Sequence, residues 1–198
     1  MKIYTIGDSH SDFSFRDIVE TRFNIAPMTM HRVRRDKINF LEILKKVDVN
    51  ISYNSFVIFC FGEIDVRCHI FNQIKLGNLT EDEIINNLTT DYVSHIKTQN
   101  EFFEKIGILS ITPTSTNING KGNRRYPYVG SDEERVIYTI KTNSILKKLC
   151  EENDITFIDT YKHYADENGM LLRHMSDGSV HIGNTTHVKT ELEKHIKI

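Results

Sequence analysis

The chain has 198 residues, a length that suits one domain with a substantial hydrophobic core. Its formal net charge is −2 at pH 7, so no overall field draws it to nucleic acid or to an anionic membrane. We therefore expect a small molecule or a glycan as its partner, while the composition specifies no oligomeric state. The three cysteines are an odd number and predict no disulfide framework.

The start of the chain and its longest apolar run predict the compartment. An apolar strand pattern begins at Lys2, which leaves no room for a signal peptide ahead of it. The longest apolar run, residues 56–61, is far shorter than the roughly 20 residues that span a bilayer. These features predict a cytoplasmic protein without a membrane partner.

Four apolar, β-rich runs, at residues 2–6, 55–61, 107–111 and 155–158, alternate with long helical patterns. Such alternation predicts βαβ units, and near-continuous apolarity suits strands that are covered on both faces. The predicted fold class is α/β, a three-layer α/β/α sandwich with a central, mostly parallel sheet in one domain over residues 1–198. A weaker second strand is predicted around residues 25–33, and Asp36 is predicted to cap a helix over residues 37–47.

Two capping boxes predict where two long helices begin. Residues 80–83 precede an apolar stripe that extends to Ile106, and residues 131–134 precede a stripe that includes Ile137 and Ile140. Both helices are expected to pack on the sheet.

The segment between these helices, residues 114–130, is rich in Asn, Gly, Ser and Thr and carries Lys121, Arg124, Arg125, Tyr126 and Tyr128. A loop of this length in a compact domain is more often functional or mobile than idle. Its tyrosines could stack on a sugar ring, although loop aromatics more often anchor the loop to the fold.

The first strand ends in a Gly-Asp-Ser sequence at residues 7–9, which places a serine at a strand-to-loop junction. A serine there becomes a nucleophile when a histidine takes its proton and a carboxylate orients the histidine. Near the C-terminus, Asp177 and His181 supply that pair, with His187 as an alternative base. We therefore predict Ser9, Asp177 and His181 as catalytic residues, with the backbone N–H of Ser9 as an oxyanion donor. The alternative is a turn serine without chemistry.

These motifs resemble those of the SGNH/GDSL hydrolases, which carry Gly-Asp-Ser after the first strand and an Asp shortly before a His near the end. Residues 62–65, Gly-Glu-Ile-Asp, stand where that family has Gly-x-Asn-Asp, so the resemblance spans nearly the whole chain. The longer sequence Gly-Glu-Ile-Asp-Val-Arg-Cys-His, residues 62–69, resembles a small subgroup often encoded among genes for surface glycans. The resemblance implies a flavodoxin-like SGNH fold and ester hydrolysis through an acyl-enzyme on Ser9.

Three features depart from the family pattern: the spacing between the Asp and the His, residue 64, and a missing glycine after the second strand. The spacing from Asp177 to His181 is one residue longer than Asp-x-x-His, and Gly178 is expected to take the dihedral angles that accommodate the extra residue. The Asn of Gly-x-Asn-Asp is replaced by Ile64, which has no side-chain donor for an oxyanion. Arg67 is the leading substitute, and the alternative is a structural ion pair of Arg67 with an acidic neighbour. The predicted oxyanion and substrate-binding residues are Arg67, Gly62, Glu63, Asp65, His69 and His31.

The other oxyanion donor is predicted in the segment after the second strand. Family members use a glycine there, whereas residues 24–32 contain none, so a backbone N–H of Thr29, Met30 or His31 is the candidate. The side chain of His31 could equally be a packing histidine. The basic cluster at residues 32–35 is interpreted as a solvated turn in preference to an anion site.

The sequence predicts neither a metal nor a cofactor. No cluster of His and Cys has the spacing of a zinc site, and the adjacent pair Cys68-His69 is insufficient by itself. No glycine-rich phosphate loop of the P-loop or dinucleotide type is present.

Three functions are compatible with these motifs. The leading hypothesis is a serine esterase that removes a small acyl group, such as acetyl, from a carbohydrate. The second is an O-acyltransferase that uses the same triad with a sugar hydroxyl as acceptor. The third is a glycan-binding module with a degenerate site, which the isoleucine at residue 64 and the missing glycine favour.

Overall fold

The strands of the computed structural model, which describes residues 1–25, 27–46, 51–116 and 126–196, form one sheet. They are β1 (Lys2–Gly7), β2 (Thr21–Asn24), β3 (Ser55–Cys60), β4 (Lys105–Leu109) and β5 (Thr156–Ile158). Their order is β2-β1-β3-β4-β5, and all four neighbouring pairs are parallel. All six residues of β3 are buried, as expected of a strand covered on both faces.

Of the described helices, the first six lie between successive strands, and the last two follow β5. They are α1 (His10–Phe13), α2 (Met30–Arg35), α3 (Phe40–Lys45), α4 (Ile70–Lys75), α5 (Glu81–Lys97), α6 (Asp132–Glu152), α7 (Tyr161–Tyr164) and α8 (Thr186–Glu193). A π-helical turn (Asp65–His69) precedes α4, and short 3₁₀ turns cover Thr98–Glu101 and Arg173–Met175. Within the described ranges, no helix has the length and apolar character needed to cross a membrane.

Two hydrophobic clusters cover the two faces of the sheet. On one face, side chains such as Tyr4 and Phe59 pack against α2, α3, α5 and α6. On the other face, Phe56 and Ile58 pack against α8 and the segment that follows α1. The three layers confirm the predicted α/β/α sandwich.

The two capping boxes form as predicted, at the starts of α5 and α6. The stripes that follow them were predicted less well. Helix α5 ends before Ile106, which lies in β4, and the predicted core residues Ile137 and Ile140 are 47% and 49% exposed. The buried face of α6 instead includes Thr139 and Asn143, because their polar groups are satisfied by the carbonyl of Arg135 and by the backbone of Ile111.

The predictions for residues 25–47 need correction. The second strand lies earlier, at β2, and α2 begins within the region predicted as strand and covers its last four residues, 30–33. Asp36 lies at the end of α2 and does not cap the next helix, because Lys37 turns the chain with a φ of +46°. Helix α3 begins after Asn39, whose side chain accepts from the N–H of Glu42 at 3.2 Å. The predicted helix end, Val47, and the loop residues Lys121, Arg124 and Arg125 lie outside the described residues.

The carboxyl ends of β1, β2 and β3 meet at one edge of the sheet. Gly7 pairs in register with Asn24 on one side and with Cys60 on the other. Because β1 lies between β2 and β3, the connections leave this point toward opposite faces of the sheet. In open α/β sheets, ligands bind in the crevice outside such a switch point.

Candidate active site

Ser9 lies directly beyond the end of β1. Gly7 packs so closely on β3 that a side-chain β-carbon there would lie 2.0 Å from the carbonyl oxygen of Cys60, so glycine is required. The chain then turns, and Ser9 stands at the start of α1. In the part of the chain that the structure describes, the backbone N–H of Ser9 donates no hydrogen bond. It is therefore available to an oxyanion.

The side chains of Ser9, His181 and Asp177 form one hydrogen-bonded series. Ser9 Oγ lies 2.8 Å from His181 Nε2, and His181 Nδ1 lies 3.0 Å from Asp177 Oδ2. In this arrangement the histidine can take the serine proton while the carboxylate fixes its orientation. Burial disfavours the charge of Asp177, but hydrogen bonds from Ser179 and His181 hold the pKa of its carboxyl below the usual value. Asp177 is therefore ionised at neutral pH.

The turn between Asp177 and His181 accommodates the extra residue noted in the sequence. The backbone N–H of Asp177 donates to the carbonyl of His181 at 3.1 Å. Gly178 has a φ of +91°, in the left-handed region that glycine reaches without strain. The N–H and the hydroxyl of Ser179 both donate to Asp177 Oδ1, at 2.8 and 2.9 Å. The longer spacing thus still brings the carboxylate to the histidine.

Aromatic packing fixes the ring of His181. The ring of Phe13 stacks on it, with centroids 4.0 Å apart and planes 7° apart, and the ring of His10 lies 5.0 Å away. The alternative base, His187, lies elsewhere and stacks on His163 with centroids 4.7 Å apart. Among the described residues, the histidine that hydrogen-bonds Ser9 is therefore His181.

A buried polar layer beneath Ser9 includes His10, a site residue that our sequence analysis did not identify. Asp8 is 1% exposed and His10 is 5% exposed, and Asp8 Oδ1 accepts from the backbone N–H of His10 at 2.9 Å. Burial and the nearby His181 and Arg67 lower the pKa of His10 to about 3. His10 is therefore neutral and does not repel the positive charge that His181 acquires during attack. The only sequence signal for His10 was its place after the serine.

Glu63 and Arg67 form a bidentate ion pair beside this layer. The distances are 2.6 Å from Arg67 Nε to Glu63 Oε1 and 3.0 Å from Nη2 to Oε2, and each side chain is 10% exposed. Arg67 also donates to the carbonyl of Tyr126, and its guanidinium lies 5.2 Å from the ring centroid of Tyr128. Glu63 Oε2 lies 4.0 Å from Nε2 of His10. This geometry favours the ion-pair interpretation of Arg67 over an oxyanion donor.

Asp65 organises the segment that was predicted to supply the other oxyanion donor. Its Oδ2 accepts from the backbone N–H of Met30 at 2.8 Å, and the N–H of His31 also hydrogen-bonds this carboxyl. Two of the three candidate N–H groups are therefore occupied. In the described structure the N–H of Thr29 donates no hydrogen bond, which makes it the remaining candidate. Ile64 is 6% exposed and contributes packing.

The remaining predicted site residues lie outside the hydrogen-bonded series. His31 and His69 line a separate cavity of about 440 Å³. Gly62 has a φ of +122°, and a β-carbon there would lie 2.7 Å from Ile111 Cδ1, so it serves the turn after β3. Among the described residues, no group of three or more His, Cys, Asp or Glu side chains is placed to hold a metal ion.

Burial of Asp65 predicts a pH-dependent stability. Burial raises the pKa of Asp65 to about 7, against the hydrogen bonds from Met30 and His31. The folded chain therefore holds the proton of Asp65 more tightly than the unfolded chain. Protonation of Asp65 thus contributes fully to the free energy of unfolding below about pH 4, and this contribution is lost as the pH rises towards 7. Urea unfolding of the wild type should give a lower stability at pH 8 than at pH 5.

Asp65→Asn is the matched variant for this measurement, because an amide keeps the acceptor for the N–H of Met30 and does not titrate. We expect its loss of stability between pH 5 and pH 8 to be smaller than that of the wild type, by up to about 3 kcal/mol. An equal loss in both proteins would mean that Asp65 is not the titrating group.

The parallel sheet, the serine after its first strand and the Asp/His turn near the C-terminus together define the SGNH/GDSL hydrolase fold, as the motifs predicted. No protein-family model and no curated protein matches the sequence. The evidence for the fold is therefore structural.

Three solved structures illustrate the likeness. A catalytic mutant of Axe2, an acetylxylan esterase from Geobacillus stearothermophilus, matches with a TM-score of 0.59 and 12% identity over 100% of this chain and 94% of that chain. A GDSL-like lipase from Bacteroides thetaiotaomicron matches with a TM-score of 0.57 and 15% identity, over 98% and 85% of the two chains. The OSK domain of Drosophila Oskar matches with a TM-score of 0.56 and 14% identity, over 98% and 88%.

Proposed function

We propose that this protein is a serine esterase that removes a small acyl group, acetyl in the simplest case, from a carbohydrate. The observation that carries the proposal is the hydrogen-bonded series from Ser9 through His181 to Asp177. If Ser9 only shaped the turn, its hydroxyl would not need an imidazole at 2.8 Å, and that imidazole would not need a carboxylate on its other nitrogen.

Acylation begins when Ser9 Oγ attacks the carbonyl carbon of the ester. Nε2 of His181 takes the hydroxyl proton, and Asp177 stabilises the imidazolium that forms. The oxyanion accepts from the backbone N–H of Ser9, and the N–H of Thr29 is the candidate second donor. When the tetrahedral intermediate collapses, the bond to the sugar oxygen breaks and His181 returns the proton to that oxygen. The products are the sugar alcohol and an acyl group on Ser9.

Deacylation repeats these steps with water. His181 takes a proton from a water molecule, whose oxygen attacks the acyl carbon, and the same ring then protonates Ser9 Oγ as the acid leaves. Because each step uses the same imidazole, the mechanism requires His181 to be neutral at the start. It requires no metal or cofactor.

Two observations support a carbohydrate ester as substrate. The structural neighbours include a protein named as an acetylxylan esterase, and the motifs at residues 62–69 resemble those of a subgroup encoded among surface-glycan genes. The net charge of −2 supports a partner other than nucleic acid or an anionic membrane. A cytoplasmic location is part of the same proposal.

Acetate release from acetylated xylo-oligosaccharides tests the proposed function. Ser9→Ala should remove turnover above the uncatalysed rate, because no nucleophile remains. Ser14→Ala is the matched control: Ser14 is fully buried in the same segment, and in the described structure its hydroxyl has no hydrogen-bond partner. It should retain turnover within a factor of about two. Equal turnover by wild type and Ser9→Ala would refute the proposal. Saccharide binding without any turnover would favour the glycan-binding module.

A further inference from the structure

A cavity beside the proposed active site is lined by Thr29, the candidate second oxyanion donor, but its other lining residues have no role in the chemistry described above. Its volume is about 440 Å³, within the range of roughly 300 to 1,000 Å³ that small-molecule sites have. Residues of α2, α4 and α5 line it, and no member of the Ser9, His181 and Asp177 series does. We call it the lateral cavity.

The lateral cavity borders the site on the side opposite the catalytic histidine. Asp65 and Tyr126 line it, and Arg67 donates to the carbonyl of Tyr126 while its partner Glu63 lies 4.0 Å from His10, the neighbour of Ser9. Ile70 and Ile84 of the cavity belong to the hydrophobic cluster on one face of the sheet, whereas Ile182, next to His181, belongs to the cluster on the other face. An ester bound at Ser9 could therefore extend its alcohol portion into the lateral cavity.

The charges around the lateral cavity leave an excess of positive charge. Arg32 and Arg35, both in its lining, share one carboxylate, Asp36, at 3.6 and 2.7 Å. Asp91, which also lines the cavity, is paired with Arg34 at 3.6 Å. Of these five side chains, Arg32, Arg35 and Asp91 line the cavity, so two guanidinium groups stand there beside one exposed carboxylate that Arg34 already pairs. Asp65, the other acidic residue of the lining, directs its carboxyl at the backbone N–H groups of α2.

The other walls suit a sugar ring. Leu79, which is 46% exposed, and the partly buried Leu88 offer an apolar surface on which the C–H face of a pyranose can lie. The side-chain amides of Gln73 and Asn87 make no hydrogen bond to any residue that the structure describes, so they are available to sugar hydroxyls. Apolar walls with a few convergent polar groups are typical of ligand sites.

We propose that the lateral cavity binds the sugar portion of the substrate and selects an anionic sugar, whose charged group pairs with Arg32 and Arg35. This inference rests on the proposed function, because it assigns the alcohol portion of the ester that Ser9 cleaves. It also revises the interpretation of residues 32–35 as a solvated turn. A guanidinium can pair bidentately with a carboxylate or with a phosphate, so either group could supply the negative charge.

Three O-acetylated substrates with one ring separate these possibilities: an acetylated methyl glucoside, the corresponding methyl glucuronide and the corresponding 6-phosphate. The wild type should show a kcat/KM at least tenfold higher for one or both anionic esters than for the neutral one. Which anion gives the larger value distinguishes carboxylate from phosphate. The variant Arg32→Gln/Arg35→Gln should lower this anionic-to-neutral ratio at least tenfold.

Lys45→Gln/Lys46→Gln is the matched control, because it also removes two positive charges, but from exposed positions outside the lateral cavity. Its anionic-to-neutral ratio should stay within twofold of the wild type. Equal ratios in the two double variants would overturn the proposal, and so would a wild-type preference for the neutral sugar or for a long acyl chain on a simple alcohol.

A binding measurement keeps this inference separate from the proposed function. Titration calorimetry of Ser9→Ala with the unacetylated glucuronide, the 6-phosphate and the glucoside should show at least tenfold tighter binding of an anionic sugar. Adding Arg32→Gln/Arg35→Gln should remove that preference. If no ester is hydrolysed but this preference is seen, the esterase proposal fails and the cavity assignment stands. If turnover depends on Ser9 but no preference for an anionic sugar is seen, the esterase proposal stands and the cavity assignment fails.

Discussion

Replacement of His181 by alanine is expected to lower kcat for ester hydrolysis by roughly 10⁵- to 10⁶-fold. In the structure the Ser9 hydroxyl meets the Nε2 of this ring at 2.8 Å, so the variant leaves the nucleophile without a base. Asp177→Asn should lower kcat about 10⁴-fold, because an amide does not favour the productive tautomer of His181 or stabilise its imidazolium. Acetate release under saturating substrate measures both effects.

His187→Ala is the control that the chain itself offers. His187 was the alternative base from the sequence, but its ring stacks on His163 and lies outside the hydrogen-bonded series. We expect kcat of this variant within about twofold of the wild type. The assignment of the base would be wrong if His187→Ala lost turnover while His181→Ala retained it.

Replacement of Arg67 by alanine is expected to lower the free energy of unfolding by about 3 to 5 kcal/mol. The variant leaves Glu63, whose side chain is 10% exposed, without its bidentate partner. It also removes the hydrogen bond to the carbonyl of Tyr126 and the contact with the ring of Tyr128. Urea unfolding at pH 7 gives the size of the loss. Adding Glu63→Gln to Arg67→Ala should restore part of it, because a neutral amide is less costly to bury than an unpaired charge.

Arg34→Ala provides the exposed comparison for this ion pair. Arg34 and Asp91 lie 3.6 Å apart, with side chains 55% and 56% exposed, and such pairs contribute about 0 to 1 kcal/mol. If Arg67→Ala costs no more than Arg34→Ala, the buried pair is not a structural element of the site. The oxyanion interpretation of Arg67 would then need to be tested by its effect on kcat.

The sequence predicts the central strands and the edge strand β5 well and the other edge strand, β2, poorly, for a physical reason. All of β3 is buried, so nearly every residue in it is apolar and the run is conspicuous. In contrast, β2 lies at the edge of the sheet and none of its four residues is fully buried, so its composition carries little signal. In α6 the sequence wrongly predicted Ile137 and Ile140 to be buried. Helical periodicity does not reveal that polar residues with satisfied hydrogen bonds occupy the buried face instead.

The sequence likewise predicts some residues of the site and misses others. The structure brings Ser9, Asp177 and His181 together as their motifs suggested, because short motifs at strand ends and turns specify local geometry. His10 has no such signal, since its role depends on burial between segments that are distant in sequence. The sequence predicted that Arg67 could pair with an acidic neighbour but did not show which one. In the structure the partner is Glu63, because the carboxyl of Asp65 accepts from the backbone of Met30.

The central claim is an activated serine at residue 9, and labelling with a fluorophosphonate probe followed by intact-mass analysis tests it most directly. We predict one adduct on the wild-type chain, none on Ser9→Ala and one on Ser14→Ala. An unlabelled but folded wild type, or a label that persists in Ser9→Ala, would contradict the claim.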